Sequence, residues 1–203
     1  MTRLLVVFHS FYGDVYRLAE AVREGATSAG AEVSVKQVPE IVPQQALESS
    51  GAAEAKKTFA HVETATVDEL PEYDGIAFGC GTRFGNQTAS MRSFLEQTGK
   101  IWLEGRLINK AAMSFVGTGT GSGREATIIS SWFTFAHHGM VIVPLGYRAM
   151  ELRGGSEIHG ASPYGAGVMQ RGEPLPRPSP LELSLARAHG KAWAEVAERL
   201  VGL

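Results

Sequence analysis

The sequence has few of the features that mark several common classes of protein. Its single cysteine, Cys80, excludes an intrachain disulfide and cannot ligate an iron–sulfur cluster alone, which suits a reducing cytoplasm. The 19 basic and 21 acidic residues leave a net charge of −2, and no run rich in Lys or Arg is present. Nucleic acid is therefore not an expected partner. The near-neutral balance also argues against an acidic carrier that docks through its charge.

One uncharged segment, Ala126 to Tyr147, has the length of a membrane span. Serine, histidine, glycine and proline residues interrupt it, so we expect a helix, a turn and a strand instead. Near the N-terminus, the apolar run Leu4 to Phe8 is too short for the core of a signal peptide and predicts a first strand. We therefore predict no membrane span and a cytoplasmic protein.

Short apolar segments alternate with segments of helical spacing along the chain. The apolar segments predict five buried strands, at 4–8, 32–36, 76–78, 111–116 and 140–143. Because parallel strands need long crossovers, the alternation predicts an α/β fold: a doubly wound five-stranded parallel sheet with helices on both faces. The last helix is predicted to begin at Ser179-Pro180-Leu181-Glu182, which combines a capping box with proline at the first helical position.

We expect a single domain over residues 1–203, with insertions at about 39–66 and 146–178 that fall outside the alternation. Connections as long as the second insertion are usually functional or disordered. The predicted helix within 126–136 carries no charge, although a surface helix normally presents charged residues opposite its apolar stripe. We predict that a second subunit covers this helix; the alternative is a helix enclosed within one subunit.

The candidate site is formed by three loops, because ligands of open α/β sheets bind beyond the carboxyl ends of the strands. The loop at 10–15 offers a hydroxyl and backbone N–H groups at a helix start, which suits a monophosphate. It lacks the nucleotide P-loop and dinucleotide fingerprints, and an ordinary strand–helix turn is the alternative. The loop at 81–86 combines glycines with a hydroxyl, a guanidinium and an aromatic ring, and the loop at 117–123 is rich in glycine. Both suit the edge of a flat cofactor.

Together these motifs resemble the WrbA family, which are flavodoxin-like, tetrameric NAD(P)H:quinone oxidoreductases. The resemblance covers nearly the whole chain. It is carried by Ser10-Phe11-Tyr12-Gly13, Val38-Pro39-Glu40, Thr82-Arg83-Phe84-Gly85-Asn86, Thr118-Gly119-Thr120-Gly121, Ala136-His137-His138-Gly139-Met140 to Gly146, Pro163-Tyr164-Gly165 and Glu182-Leu183. It implies non-covalent FMN as cofactor, NADH or NADPH as reductant and a quinone as acceptor.

The resemblance also implies the residues of the site. The FMN phosphate would contact Ser10, Phe11, Tyr12, Gly13, Asp14 and Val15, and the ring would lie against Thr82, Arg83 and Phe84, beside Gly85 and Asn86. Further cofactor contacts would come from Gly117, Thr118, Gly119, Thr120, Gly121, Ser122 and His137. A substrate slot with Tyr12, Phe84, Trp102 and His137 would lie at the subunit junctions of a homotetramer.

Two positions depart from the family pattern. The family commonly has proline at the position of Gly81, and often histidine where this chain has Asp14. The Gly81 substitution is expected to loosen the loop under the flavin. A carboxylate at position 14 suits a helix start but repels a nearby phosphate, so it must point away or weaken FMN binding.

The implied reaction is a two-electron, ping-pong exchange in which NAD(P)H and then a quinone occupy the same slot. Arg83 would stabilise negative charge on the reduced flavin, and His137 would donate a proton to the quinone oxygen. No covalent nucleophile is needed, and no metal site is expected because His137 and His138 point apart on a helix. The alternatives are a flavodoxin-type electron carrier and a non-catalytic repressor-binding adaptor.

Overall fold

The computed structural model describes residues 1–149, 157–171 and 176–202. Within these residues, one sheet contains β1 Arg3–His9, β2 Glu32–Gln37, β3 Gly75–Gly81, β4 Ala111–Thr118, β5 Val141–Ile142 and β6 Gly167–Met169. All pairs are parallel and the order is β2-β1-β3-β4-β5, with β6 also paired to β4. This is the doubly wound order of a flavodoxin-like fold, so the predicted fold class is confirmed.

Helices cover both faces of the sheet. They are α1 Asp14–Ser28, α2 Gln44–Ser49, α3 Ala52–Lys56, α4 Ala89–Glu96, α5 Gly99–Leu103, α6 Arg124–His137 and α7 Pro180–Leu200. Short 3-10 helices span Lys57–Phe59 and Val67–Glu72. None of the described helices combines the length and the apolar character needed to cross a bilayer.

The sheet has a hydrophobic core on each face, because alternate residues of a strand point to opposite sides. In β1, Leu4, Val6 and Phe8 belong to the core that includes α1 and α7. Leu5 and Val7 belong to the core that includes α4, α5 and α6. All five side chains are fully buried, which explains why β1 is a continuous apolar run in the sequence.

Helices α1 and α7 pack closely through two glycines. A Cβ at Gly25 would lie 2.0 Å from the carbonyl oxygen of Arg187, and a Cβ at Gly190 would lie 2.1 Å from that of Val22. Any side chain at these positions would push the two backbones apart. The contact thereby fixes α1, whose first turn borders the candidate site, against α7.

The edge of the sheet beyond β4 differs from the prediction. The strand predicted at 140–143 is reduced to β5, which pairs with Ala111 and Ala112 at the start of β4. An additional strand, β6, lies within the predicted insertion at 146–178 and pairs with 116–118 at the end of β4. The sequence did not indicate β6, because three residues are too few for a recognisable pattern. Residues 150–156 and 172–175 of this insertion lie outside the described part of the chain.

A buried carboxylate holds β6 in place. Glu182 is fully buried and completes the predicted capping box with Ser179 at the start of α7. Its Oε1 also accepts hydrogen bonds from the backbone N–H groups of Gly160 at 3.0 Å and Met169 at 2.9 Å, and lies 3.1 Å from Arg177 Nη1. The residue that begins α7 therefore also connects it to the segment around β6.

Helix α6 buries hydroxyl groups as well as apolar side chains. Thr127 and Ser131 are buried, whereas Phe133 is 67% exposed. The buried hydroxyls are tolerated because each donates a hydrogen bond to the preceding turn, Thr127 to Gly123 at 2.9 Å and Ser131 to Thr127 at 3.1 Å.

Candidate functional site

Three loops meet at the edge of the sheet where β1, β3 and β4 end side by side. They enclose a cleft of about 50 Å³. It is lined by Ser10, Phe11, Tyr12, Asp14, Val15, Gly81, Thr82, Arg83, Gly117, Gly119 and Gln170. The parallel sheet thus brings together the three loops that the sequence selected separately.

The first loop presents the start of α1 to the cleft. Ser10 is buried, and its Oγ accepts a hydrogen bond from the backbone N–H of Gly13 at 3.0 Å. Gly13 is the N-cap of α1 with φ of +86°, a left-handed conformation that favours glycine. The first N–H groups of an α-helix have no partners within the helix and carry partial positive charge. The first turn of α1, at Asp14 and Val15, therefore suits an anion.

Asp14 places a carboxylate in this anion site. Its Oδ2 accepts a hydrogen bond from Gln170 Nε2 at 2.8 Å, and its Oδ1 lies 3.7 Å from Arg17 Nη2. Burial raises the pKa of Asp14, although the Gln170 hydrogen bond and the Arg17 charge oppose the shift. Gln170 is itself fixed by a backbone hydrogen bond of 2.8 Å from its N–H to Thr118. The carboxylate is therefore held at the cleft rather than turned away from it.

The second loop projects a cation and an aromatic ring. Arg83 and Asn86 exchange backbone hydrogen bonds of 2.8 and 2.9 Å and close a two-residue turn. The central residues, Phe84 and Gly85, have φ of +52° and +79°, the pattern of a type I′ turn, and the Phe84 side chain is fully exposed. The guanidinium carbon of Arg83 lies 4.7 Å from the centre of the Phe11 ring, within cation–π distance.

The third loop is organised by Thr118. Its Oγ1 accepts a hydrogen bond from the N–H of Gly121 at 3.1 Å and donates one to the carbonyl of Ser122 at 3.2 Å. A Cβ at Gly117 would lie 2.8 Å from Val15 Cγ2, so glycine is needed there for β4 to approach α1. At Gly119 the nearest atom to an added Cβ is Gln170 Oε1 at 3.8 Å, so this position leaves the wall open.

These groups fit FMN, with one exception. The Ser10 hydroxyl and the start of α1 provide neutral donors for a phosphate, and Gly81 and Gly119 leave walls without side chains for a planar ring. Arg83 supplies positive charge at the same cleft. The exception is Asp14, whose charge has the same sign as the phosphate.

The other predicted cofactor residues in these loops shape the site without lining the cleft. They are Gly13, Phe84, Gly85, Asn86, Thr118, Thr120, Gly121 and Ser122. The side chain of Cys80 is buried in the core beneath the second loop. Burial raises the pKa of its thiol to about 11, as expected of a residue that packs in the core.

Two predicted site residues lie elsewhere in the chain. Helix α6 begins near the cleft at Arg124 and ends at His137, about 20 Å away at 1.5 Å per residue. His137 and Trp102 line a separate groove of about 560 Å³ between α4–α5 and α6. Within one chain, neither side chain lines the cleft, because α6 runs back along the sheet from the strand ends.

Sequence reasoning missed two residues at the site. Gln170 reaches the cleft from the end of β6, a strand that the sequence did not indicate. His9, the last residue of β1, is 1% exposed and contacts Phe11 edge-to-face, with ring centres 5.0 Å apart. The sequence could have indicated His9 as a site residue, because it directly precedes Ser10 at the end of a buried strand.

Comparison with known proteins identifies the family. The model of the NADPH-dependent FMN reductase family matches residues 12–153. The chain belongs to this family. A relative from Aromatoleum aromaticum, NAD(P)H dehydrogenase (quinone), is 47% identical over 201 residues, which cover 98% of this chain and 97% of the relative. These findings confirm the resemblance found in the motifs.

Solved structures show the same fold. A WrbA-like flavodoxin from Agrobacterium tumefaciens has a TM-score of 0.66 and 22% identity, covering 98% of this chain and 99% of that one. A flavodoxin from the domain Archaea has a TM-score of 0.61 and 18% identity, with the same coverage. In this FMN reductase family member, the predicted flavodoxin-like architecture therefore spans nearly the whole chain.

Proposed function

We propose that the protein is an FMN-dependent NAD(P)H:quinone oxidoreductase that reduces quinones by two electrons in a ping-pong exchange. The observation that carries this proposal is the cleft at three strand ends, where neutral phosphate donors, open glycine walls and Arg83 occur together. Membership of the FMN reductase family and the name of the 47% identical relative support the same chemistry.

The residues of this chain would bind FMN and tune it, while the cofactor supplies the hydride chemistry. Ser10 and the first turn of α1 would hold the phosphate, and the loops around Thr82 and Gly119 would border the ring. Arg83 would stabilise negative charge that develops on reduction. Tyr12, which is 47% exposed, and Phe84 would contact the visiting nicotinamide or quinone.

We infer that Trp102 and His137 reach the cleft from another subunit. Both line the groove beside α6, to which this helix contributes the uncharged residues Ser130, Phe133 and Thr134, and Phe133 is 67% exposed. A large exposed ring on an uncharged face is typical of a surface that becomes covered. A homotetramer with sites at its subunit junctions would complete the slot, and His137 would then donate a proton to the quinone oxygen.

A subunit-mixing experiment tests this arrangement. Arg83→Ala removes the cleft cation, and Trp102→Ala removes the ring on the other surface; each homo-oligomer should turn over slowly. Co-assembled subunits should recover part of the activity, because some junctions then combine an intact cleft with an intact Trp102. Leu103→Ala, an exposed neighbour of Trp102, is the control and should keep full activity. Failure to recover activity in verified mixed oligomers would contradict a site shared between subunits.

The redox function is tested by the absorption spectrum of the purified protein. NADH or NADPH should bleach the flavin band in the blue, and a quinone should restore it under anaerobic conditions. Comparing the two nucleotides also identifies the preferred reductant. Bound FMN that is not reduced by either nucleotide would favour an electron carrier, and a protein that binds no FMN would favour a non-catalytic adaptor.

Two further expectations remain proposals. We propose that the chain forms a single domain over residues 1–203, which limited proteolysis would test through the size of the stable fragment. We also propose a cytoplasmic location, in keeping with the single reduced cysteine, and cell fractionation would test it.

A further inference from the structure

A partly buried carboxylate lies behind the wall of the cleft. Glu40, in the loop after β2, accepts hydrogen bonds at Oε1 from the N–H groups of Ile41 and Val42 and from Ser90 Oγ, all at 3.0 Å. Its Oε2 lies 2.9 Å from Lys56 Nζ and 2.9 Å from His9 Nε2. Burial would raise the pKa of Glu40, but the hydrogen bonds outweigh it and hold that pKa well below its usual value. Glu40 is therefore an ionised, rigidly held acceptor.

The ionised Glu40 determines how the His9 ring is oriented. A carboxylate only accepts hydrogen bonds, so His9 must donate from Nε2. The ring is 1% exposed, and Nδ1 has no hydrogen-bond partner among residues 1–149, 157–171 and 176–202. The contact with Glu40 is therefore the polar interaction that sets the ring plane.

The oriented His9 ring supports the cation of the cleft through one intermediate. His9 and Phe11 meet at 88° with ring centres 5.0 Å apart, the favourable edge-to-face arrangement. Phe11 also contacts the Tyr12 ring, with centres 6.2 Å apart, and the Arg83 guanidinium, 4.7 Å from the Phe11 ring centre. In the described part of the chain no carboxylate lies within 4 Å of Arg83, whose Nη1 donates to the Thr82 carbonyl at 3.1 Å. Phe11 is thus a main support for the position of this side chain.

We propose that His9 is a positioning residue: held by Glu40, it fixes Phe11 and through Phe11 places the Arg83 charge against the reduced flavin. This inference rests on the proposed function. A charge that is held near a cofactor stabilises its more negative state, so Arg83 should raise the reduction potential of bound FMN. Disordering Arg83 should weaken the preference for reduced over oxidised FMN by about tenfold, or about 30 mV for a two-electron couple.

The test compares the potential of bound FMN in His9→Leu, Phe11→Leu and the double variant. We expect each single variant to lower the potential by about 30 mV, and the double variant to lower it no further, because both changes break one chain of contacts. His9→Phe retains an aromatic ring against Phe11 but loses the hydrogen bond to Glu40, so it should restore the potential only in part. Phe135→Leu is the matched control: Phe135 stacks on Phe78 in the core, with ring centres 5.0 Å apart, and its loss should lower the melting temperature without changing the potential.

The outcomes separate this inference from the function on which it rests. Wild-type protein that neither quenches FMN fluorescence nor oxidises NADPH would refute the proposed function. Wild-type protein that does both, together with a His9→Leu potential within about 5 mV of it, would overturn the positioning role alone. Additive shifts in the double variant would also overturn it, because His9 would then act independently of Phe11.

Discussion

Replacing Asp14 with Asn should tighten FMN binding, because it removes a charge that opposes the phosphate. A phosphate monoester carries a charge of about −1.5 to −2 at neutral pH. Two unit charges about 8 Å apart near a protein surface interact by about 2 kcal/mol. Arg17, 3.7 Å from the carboxylate, and solvent reduce this repulsion. We take the remaining repulsion as about 1.4 kcal/mol. Removing it in Asp14→Asn lowers the Kd of FMN about tenfold.

Fluorescence quenching of FMN and riboflavin measures this effect directly. Asp14→Asn should lower the Kd of FMN about tenfold and leave that of riboflavin, which has no phosphate, within twofold. Glu24→Gln removes the same charge about 15 Å along α1 and serves as the control. Because burial raises the pKa of Asp14, the difference from wild type should narrow as the pH falls and Asp14 becomes protonated. An unchanged FMN affinity, or an equal gain for riboflavin, would refute the reasoning.

Three further predictions test the fold and the second loop. Gly190→Ala should lower the free energy of unfolding by about 3 kcal/mol, because its Cβ would lie 2.1 Å from the Val22 carbonyl; Gly99→Ala, with open space around it, should be neutral in the same urea titration. Burial lowers the pKa of His189 to about 4 in the folded protein. In the unfolded protein His189 binds a proton at a higher pH, so the free energy of unfolding should fall as the pH drops from 6.5 towards 4. The free energy of unfolding should therefore be about 2 kcal/mol lower at pH 5 than at pH 7. The His189→Gln variant should not show this difference. Phe84→Gly should raise the melting temperature, because glycine relieves the strain of a φ of +52°. It should also lower quinone turnover, because the exposed ring is lost. A lower melting temperature would show that Phe84 is not strained.

Much of the site could be predicted because its loops follow recognisable strands. The fully buried run Leu4–Phe8 identified β1, and in a doubly wound sheet the position of β1 places Ser10 at the ligand edge. The capping box at Ser179 was equally clear, because it depends on residues three positions apart. These features involve residues close together in the chain, so a single sequence is enough to predict them.

Other parts of the site depend on contacts between distant segments. Gln170 meets Asp14 only because β6 pairs with the end of β4, and the three residues of β6 carry no pattern of their own. His9 is isolated in the sequence, and its role appears only when Glu40 from the β2 loop is seen beside it. The burial of Thr127 and Ser131 in α6 depends on hydrogen bonds within the helix, which a polarity pattern does not reveal.

The sequence by itself determined most of the alternation of strands and helices, the three loops at the strand ends and the family, since these follow from apolar periodicity, glycine placement and motifs. The tertiary structure decided which side chains face the cleft, that Asp14 is held there by Gln170, and that His137 lies about 20 Å along α6 from the helix start near the cleft. The physical reason is that periodicity fixes an element and its buried face. The distance between two side chains is fixed only when helices and strands pack and their hydrogen bonds close.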